Sequence, residues 1–275
     1  MQVSPEISST GIPNAISVVN LEKWYGNFCA LSSLSFSVGP GEIAALLGLN
    51  GAGKTTTIRV LTGFLVPTSG EVRINGAGYF EDSIEYRKKF GYLPERPALY
   101  DDMKVESYLK FMLQLRTENS GQEETLLENA LLKTDLVSRR KSIIGTLSAG
   151  FKKRVGVAQA IIHDPDVLIL DEPVSDLDPV QIVEIRNLLL ELKERHTILV
   201  SSHILSEVSK TADRFLFIHQ GKLAREETRS SINVDNIEKI FLETVQGSSE
   251  IPELAVSSVA AHSQKSNSYF RKWFN

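Results

Sequence analysis

The stretch Ile43-Ala44-Ala45-Leu46-Leu47 is wholly apolar, and it runs without a break into Gly48-Leu49-Asn50-Gly51-Ala52-Gly53-Lys54-Thr55. A short apolar run of this kind suits a strand buried on both faces. The loop after it matches G-x-x-x-x-G-K-[ST], whose parts do separate work. Its glycines let the backbone curl so that successive N–H groups point inward at an anion. Lys54 supplies a compact positive charge, and the Thr55 hydroxyl is an oxygen ligand for a divalent cation. Thr55 to Phe64 reads as a helix whose N-terminus faces the same anion. Strand, tight loop and helix in that order demand an α/β layer with a phosphate site at the strand's end.

Bulk properties narrow the class further. A chain of 275 residues can bury a large core in one large domain or two small ones. Its net charge of -4 carries no electrostatic footprint for nucleic acid, so no nucleic-acid partner is expected. No run approaches the roughly 18 apolar residues of a membrane-spanning helix. Met1 to Pro13 lacks the basic start and apolar block of a secretory signal. The single cysteine, Cys29, cannot close an internal disulfide; it reads as a small core filler or a reactive thiol. A soluble intracellular protein is the expectation.

Patterning divides the chain into β-rich flanks around a helical stretch. Ala15 to Leu21 and Leu34 to Val38 alternate apolar and polar residues, as half-buried strands do. Glu71 to Ile74 ends at the turn pair Asn75-Gly76, and Phe90 to Leu93 is another short strand. From Pro97 to about Gly145 the pattern is helical, with helices expected over Val105 to Leu115 and Glu123 to Leu132. Val167 to Leu170, Thr197 to Val200 and Phe215 to Ile218 return as apolar strands. Val180 to Lys193 has helical periodicity through Ile182, Ile185, Leu189 and Leu192, and Asn236 to Val245 reads as a last helix.

Several further groups carry chemistry. Val167-Leu168-Ile169-Leu170 runs straight into Asp171 and Glu172. An acid at the strand end can hold the shell of a divalent cation opposite Thr55, and the next acid can polarise a water. Alone, such a pair reads first as a solvated acidic turn; behind a phosphate loop in the same chain the chemical reading prevails. Leu147-Ser148-Ala149-Gly150-Phe151 precedes a helix over Phe151 to Ile162, with Ser148 as its cap and a second anion site at its start. Lys152, Lys153 and Arg154 follow and read first as a solvated basic face, with a contribution of positive potential to that site as the alternative. Asp178 and Pro179 form an N-cap and first helical residue. His203 leaves the strand Ile198-Leu199-Val200 where ligands of α/β folds bind. Tyr25 is either an ordinary aromatic or a platform for a base.

Taken in order, Tyr25, the loop at 48–55, Glu95, the Leu-Ser-x-Gly element at 147–151, Asp171 with Glu172, Asp178 and His203 resemble the ATP-binding subunit of ABC (ATP-binding cassette) transporters over Ile16 to Phe241. Gly91-Tyr92-Leu93-Pro94-Glu95 and Leu147 to Pro179 look most like the ABC-2-type, drug- or polysaccharide-exporter-like and gliding-associated members. The resemblance implies an α/β phosphate-loop cassette: a mixed, parallel-cored sheet with an antiparallel β subdomain and a helical subdomain. The cassette would span 15–247 with the helical subdomain at about 97–165, a flexible extension at 1–14 and a tail at 248–275. It implies that ATP is held by Tyr25, Gly48, Asn50, Gly51, Ala52, Gly53, Lys54, Thr55 and Thr56, and Mg2+ by Thr55, Glu95 and Asp171. Glu172, His203 and Lys54 would carry hydrolysis.

Such cassettes dimerise head to tail, so the resemblance assigns Ser148 and Gly150 to the ATP of a second copy or a homologous cassette, with Asp178 coupling the two sites. The helical insertion and the Glu95 loop would meet an integral membrane permease, placing the chain in the cytoplasm against the inner face of the membrane. Three positions depart from the usual pattern: Glu95 replaces Gln, the signature ends Ala149-Gly150-Phe151, and Asp176 replaces a small residue, where its charge is expected to weaken closure. None of them removes a residue assigned to chemistry. The alternative readings are a soluble ABC ATPase acting on ribosomes or DNA, and a nucleotide-sensing interaction protein. The aromatic and basic end, Tyr269 to Phe274, reads as a loose tail or as a contact for lipid headgroups or the permease.

Overall fold

The computed structural model describes residues 14–117, 121–232 and 236–246. The expected tail and nearly all of the expected N-terminal extension lie outside these residues. In chain order the first half contains β1 (Ile16–Tyr25), β2 (Phe28–Val38), β3 (Ile43–Leu47), α1 (Lys54–Leu61), β4 (Ser69–Ile74), β5 (Ala77–Gly78), α2 (Ser83–Lys88), β6 (Phe90–Leu93), α3 (Val105–Gln114) and α4 (Glu123–Lys133). The second half contains α5 (Ala149–Ile161), β7 (Val167–Asp171), α6 (Pro179–Leu192), β8 (Thr197–Ser202), α7 (Leu205–Thr211), β9 (Arg214–His219), β10 (Lys222–Thr228) and α8 (Ile237–Gln246).

Two sheets form. One has the order β2-β1-β4-β5 and is antiparallel throughout. The other has the order β10-β9-β3-β8-β7-β6, parallel from β9 to β6 with β10 antiparallel at its edge. The fully apolar runs read from the sequence are its centre: every residue of β3, β7 and β8 is buried. Side chains of a strand alternate between faces, so β3 feeds two cores. Ala44 and Leu46 pack with Ile58 and Leu61 of α1 and with Ile16, Leu21 and Leu34 of the antiparallel sheet. Ile43, Ala45 and Leu47 belong to the opposite core, with Leu109, Leu131, Val155, Leu189 and Phe241 from the flanking helices. Burying strands on both faces in this way is what a parallel sheet requires.

The helices of the insertion, α3, α4 and α5, share the second core with the sheet. At Gly91 the backbone of α5 comes so close to β6 that a Cβ would stand 1.9 Å from the Ala160 carbonyl oxygen. Glycine is therefore required there for the insertion to dock.

Some elements escape the pattern-based reading. β1 and β2 are longer than their alternating segments because bulges between Leu21 and Trp24 shift the register, and the hairpin closes at Gly26, with φ 57°. α2 buries only Tyr86, so it has no periodic stripe; Asp82 starts it by accepting from the Ile84 and Glu85 N–H groups. α7 is likewise too short to show a period, and β10 alternates only between exposed and half-buried residues.

Candidate active site

Register along the parallel sheet brings the separate motifs together. Leu47 pairs with Ser202, Leu170 with Val200 and Leu93 with Leu170, so β3, β8, β7 and β6 end at one edge. The chain leaves those ends at Gly48, His203, Asp171 with Glu172, and Pro94 with Glu95. Residues about 50 to 150 apart in sequence thereby line one cleft of about 860 Å3, open to solvent, formed by Tyr25, Phe28, Ala30, Leu49, Asn50, Gly51, Gly53, Lys54, Thr55, Thr56, Glu95, Glu172 and His203.

The loop between β3 and α1 is shaped by its glycines. Gly53, with φ 113°, is the residue before α1, and a Cβ there would stand 2.8 Å from the Leu31 side chain and 3.0 Å from the Ala30 carbonyl. At Gly48 a Cβ would meet the Ile218 carbonyl oxygen at 2.5 Å. Ala52 is buried beneath the loop and bonds to Gly221. Lys54 Nζ arches back to donate to the Gly48 carbonyl at 2.7 Å. The first N–H groups of α1 have no partner within their own helix, which makes this end a natural anion cradle.

Opposite the lysine stand three acids. Asp171 is 2% exposed, and its Oδ1 accepts from Ser201 Oγ at 2.6 Å. The same Ser201 oxygen accepts from the Glu172 N–H at 2.9 Å. Burial raises the Asp171 carboxyl above the ordinary aspartate range, with the Ser201 hydroxyl pulling against it. Glu172 sits in a left-handed turn, φ 48°, and its Oε2 lies 2.8 Å from His203 Nδ1. That bond raises the His203 pKa against partial burial. Burial lowers the Lys54 ammonium, opposed by Glu172, Asp171 and Glu95.

The chemistry of this arrangement suits a phosphate chain that brings its own cation. Three carboxylates face one ammonium, and the available donors are the oxygens of Thr55, Glu95 and Asp171, which suit a hard ion such as Mg2+. Among the described residues no group of three or more acidic, histidine or cysteine side chains is spaced to hold a metal alone. A cation here therefore needs further oxygens from its ligand, as nucleotide-borne Mg2+ has.

Not every expected residue lies in the cleft. Ser148 caps α5 by accepting from the Phe151 N–H, and a Cβ on Gly150 would meet the Gln181 amide at 2.6 Å. Asp178 caps α6 through Oδ1, accepting from the Val180 and Gln181 N–H groups. Ser148 and Asp178 are exposed at the starts of α5 and α6, Gly150 is buried beneath Gln181, and none of the three lines the cleft.

One reading is corrected. Lys153 is not on a solvated face: it is 5% exposed and donates to the carbonyls of Glu95 at 2.8 Å and Glu172 at 3.1 Å. Its two basic neighbours in sequence mask an inward-pointing position. Phe28 and Ser201 were also missed. Phe28 pairs with Tyr25 across the hairpin and is 64% exposed in the cleft wall; the aromatic-bounded hairpin turn was the available signal. Ser201 carried no motif; its place one residue before the strand end, beside Asp171, was the only clue.

The profile of the ABC transporter family matches residues 31–175. The chain is 38% identical over 213 residues to the bacitracin transport ATP-binding protein BcrA of Bacillus licheniformis, covering 77% of this chain and 69% of that protein. It is 35% identical over 227 residues to the lantibiotic transport ATP-binding protein SrtF of Streptococcus pyogenes, covering 82% of this chain and 95% of that protein. A solved ATP-binding subunit of an ABC transporter aligns over 82% of this chain and 99% of its own, with TM-score 0.74 and 30% identity.

Proposed function

The chain belongs to the ABC transporter family as an ATP-binding and ATP-hydrolysing subunit, and from that premise we propose how its residues perform the work and with what they assemble. Lys54, the N–H groups of the 48–55 loop and Thr56 hold the β- and γ-phosphates of ATP. Tyr25 and Phe28 flank the base. Thr55, Asp171 and Glu95 would hold Mg2+, which when bound would neutralise phosphate charge. Glu172 accepts the proton of the water that attacks the γ-phosphorus, giving ADP and phosphate. His203, bonded to Glu172, fixes the orientation of that carboxylate.

The single observation carrying this reading is the meeting of Lys54 with the Asp171–Ser201–Glu172–His203 hydrogen-bonded chain at one edge of the parallel sheet. Ser148, Gly150 and Asp178 do not line that cleft, and we assign the starts of α5 and α6 that carry them to a head-to-tail partner cassette. ATP binding then favours the closed pair and hydrolysis releases it. Among the described residues no helix is long and apolar enough to cross a membrane. The pore is therefore assigned to a separate integral membrane permease, with this chain held on its cytoplasmic side. Relatives named for bacitracin and lantibiotic transport support an exporter-like role over a ribosome- or DNA-directed one.

The test is affinity purification of the tagged chain from detergent-solubilised native membranes. A polytopic membrane protein in stoichiometric amount is the expected companion. Recovery only with ribosomal or DNA-bound proteins would overturn the assignment of a permease.

A further inference from the structure

We propose that Lys153 is a positioning residue for ATP hydrolysis: it holds the backbone turn that presents Glu172 and fastens that turn to the Glu95 loop. The inference rests on the reading of Glu172 as the acceptor of the water's proton.

Lys153 lies in the second turn of α5, the helix that Ser148 begins. Its Nζ reaches three oxygens from two other segments: the Glu95 carbonyl at 2.8 Å, the Glu172 carbonyl at 3.1 Å and Ser175 Oγ at 3.4 Å. An ammonium has three donors, so this one is fully used. Among the described residues no carboxylate lies within ion-pair distance of it. Asp176, Glu95, Glu172 and Asp171 act on it only at longer range, against the burial that lowers its pKa. A buried cation compensated by carbonyls is an expensive way to fill space. A methionine of similar length would fill it without desolvating a charge.

What the charge grips explains its place. Glu172 is left-handed at φ 48°, a conformation that a residue with a side chain keeps only when its surroundings over-determine it. Its carbonyl accepts from Lys153 Nζ, from Ser175 Oγ at 2.9 Å and from Ser175 N at 3.2 Å, while its N–H is held by Ser201 Oγ. Lys153 is the one donor of this set that comes from the helical insertion, and the same atom holds the Glu95 loop. Removing it frees one side of the turn, and with it the carboxylate that must meet the attacking water. Misplacement of a reacting group by about 1 Å is worth roughly 100-fold in rate.

The experiment compares Lys153→Met, Glu172→Gln and the double variant in the purified full chain. It reads kcat, KM and nucleotide affinity with MgATP, per folded molecule. The expected result for Lys153→Met is a fall in kcat of about 10- to 100-fold with ATP affinity within about 3-fold of the parent. On the Glu172→Gln background, single-turnover rates should show no further loss, because the lysine acts through Glu172. A brace that merely supports the fold would lower the melting temperature while leaving kcat per folded molecule unchanged, and that result overturns the proposal. So does an equal loss on both backgrounds. If Lys153→Met does not fold, Ser175→Ala removes another donor to the same carbonyl: a several-fold loss of kcat at constant affinity supports the proposal, and an unchanged kcat overturns it. Turnover surviving Glu172→Gln defeats the reading of Glu172 itself. A dead Glu172→Gln beside a fully active Lys153→Met defeats only the role of Lys153.

Discussion

Ser201→Ala removes one oxygen that serves two of the site's three acids, Asp171 and Glu172. Ser201 is 0% exposed; its Oγ donates to Asp171 and accepts from the Glu172 N–H. With alanine, the buried Glu172 N–H loses its acceptor, worth about 1–3 kcal/mol. The lost hydrogen bond to an ionised carboxylate is worth about 1.5–3 kcal/mol. Both terms depend on one atom, and the site relaxes partly, so the net destabilisation is about 3 kcal/mol. For a domain of this size that lowers the melting temperature by about 6–12 °C. The penalty has a definite pH dependence. Burial has raised the Asp171 carboxyl, and losing the hydroxyl raises it further, so the folded chain holds that proton to higher pH than the unfolded chain. The ionised form then weighs against folding above the folded-state pKa, and the penalty shrinks as pH falls below it. Thermal unfolding at neutral and acid pH reads both quantities, and a Mg2+ titration of ATPase activity reads the weakened cation site. Ser202→Ala is the control: among the described residues Ser202 Oγ serves the Ile204 N–H alone, at 3.0 Å, so it should cost about 1 kcal/mol and leave the Mg2+ dependence unchanged. A Ser201→Ala protein melting within about 2 °C of the parent at neutral pH, with the same Mg2+ titration, would refute the reasoning.

Gly48→Ala should reduce ATP affinity at least about 10-fold by calorimetry, since its Cβ would stand 2.5 Å from the Ile218 carbonyl and force the loop open. His203→Ala should lower kcat while ATP affinity persists. Because Glu172 raises the His203 pKa, the pair's contribution to stability is complete below the unfolded histidine value, about 6.5, and fades as pH rises through the folded one. The melting deficit of His203→Ala should therefore be larger near pH 6 than in alkaline buffer. Phe28→Ala should raise the KM for ATP about 3- to 10-fold with kcat unchanged, the loss of one aromatic surface against a base, measured by steady-state kinetics.

The meeting of the cleft's residues was legible in the sequence because they sit where strands end. The apolar runs before Gly48, Asp171 and His203 mark central strands, and parallel packing sends their exits to one edge. The loop glycines and caps were legible for a similar reason, since a positive φ or an unpaired N–H accepts few residue types. What stayed hidden depends on direction rather than type. Lys153 stands between two residues that do reach solvent, and only packing of α5 against β6 turns it inward. Ser201 is an ordinary strand serine until β7 lies beside β8. Phe28 acquires a role only because bulges carry β1 on to Tyr25. The short α2 and α7 bury too few residues to leave a period in the sequence.

The most direct test of the account is phosphate release from MgATP by the parent chain and Glu172→Gln, with ATP binding measured in parallel. A loss of turnover of about 100- to 10,000-fold with binding retained within a few-fold is the expected result, the worth of a proton acceptor at the attacking water. Hydrolysis by Glu172→Gln at close to the parent rate would contradict it, and would leave the phosphate site without the catalytic group assigned to it.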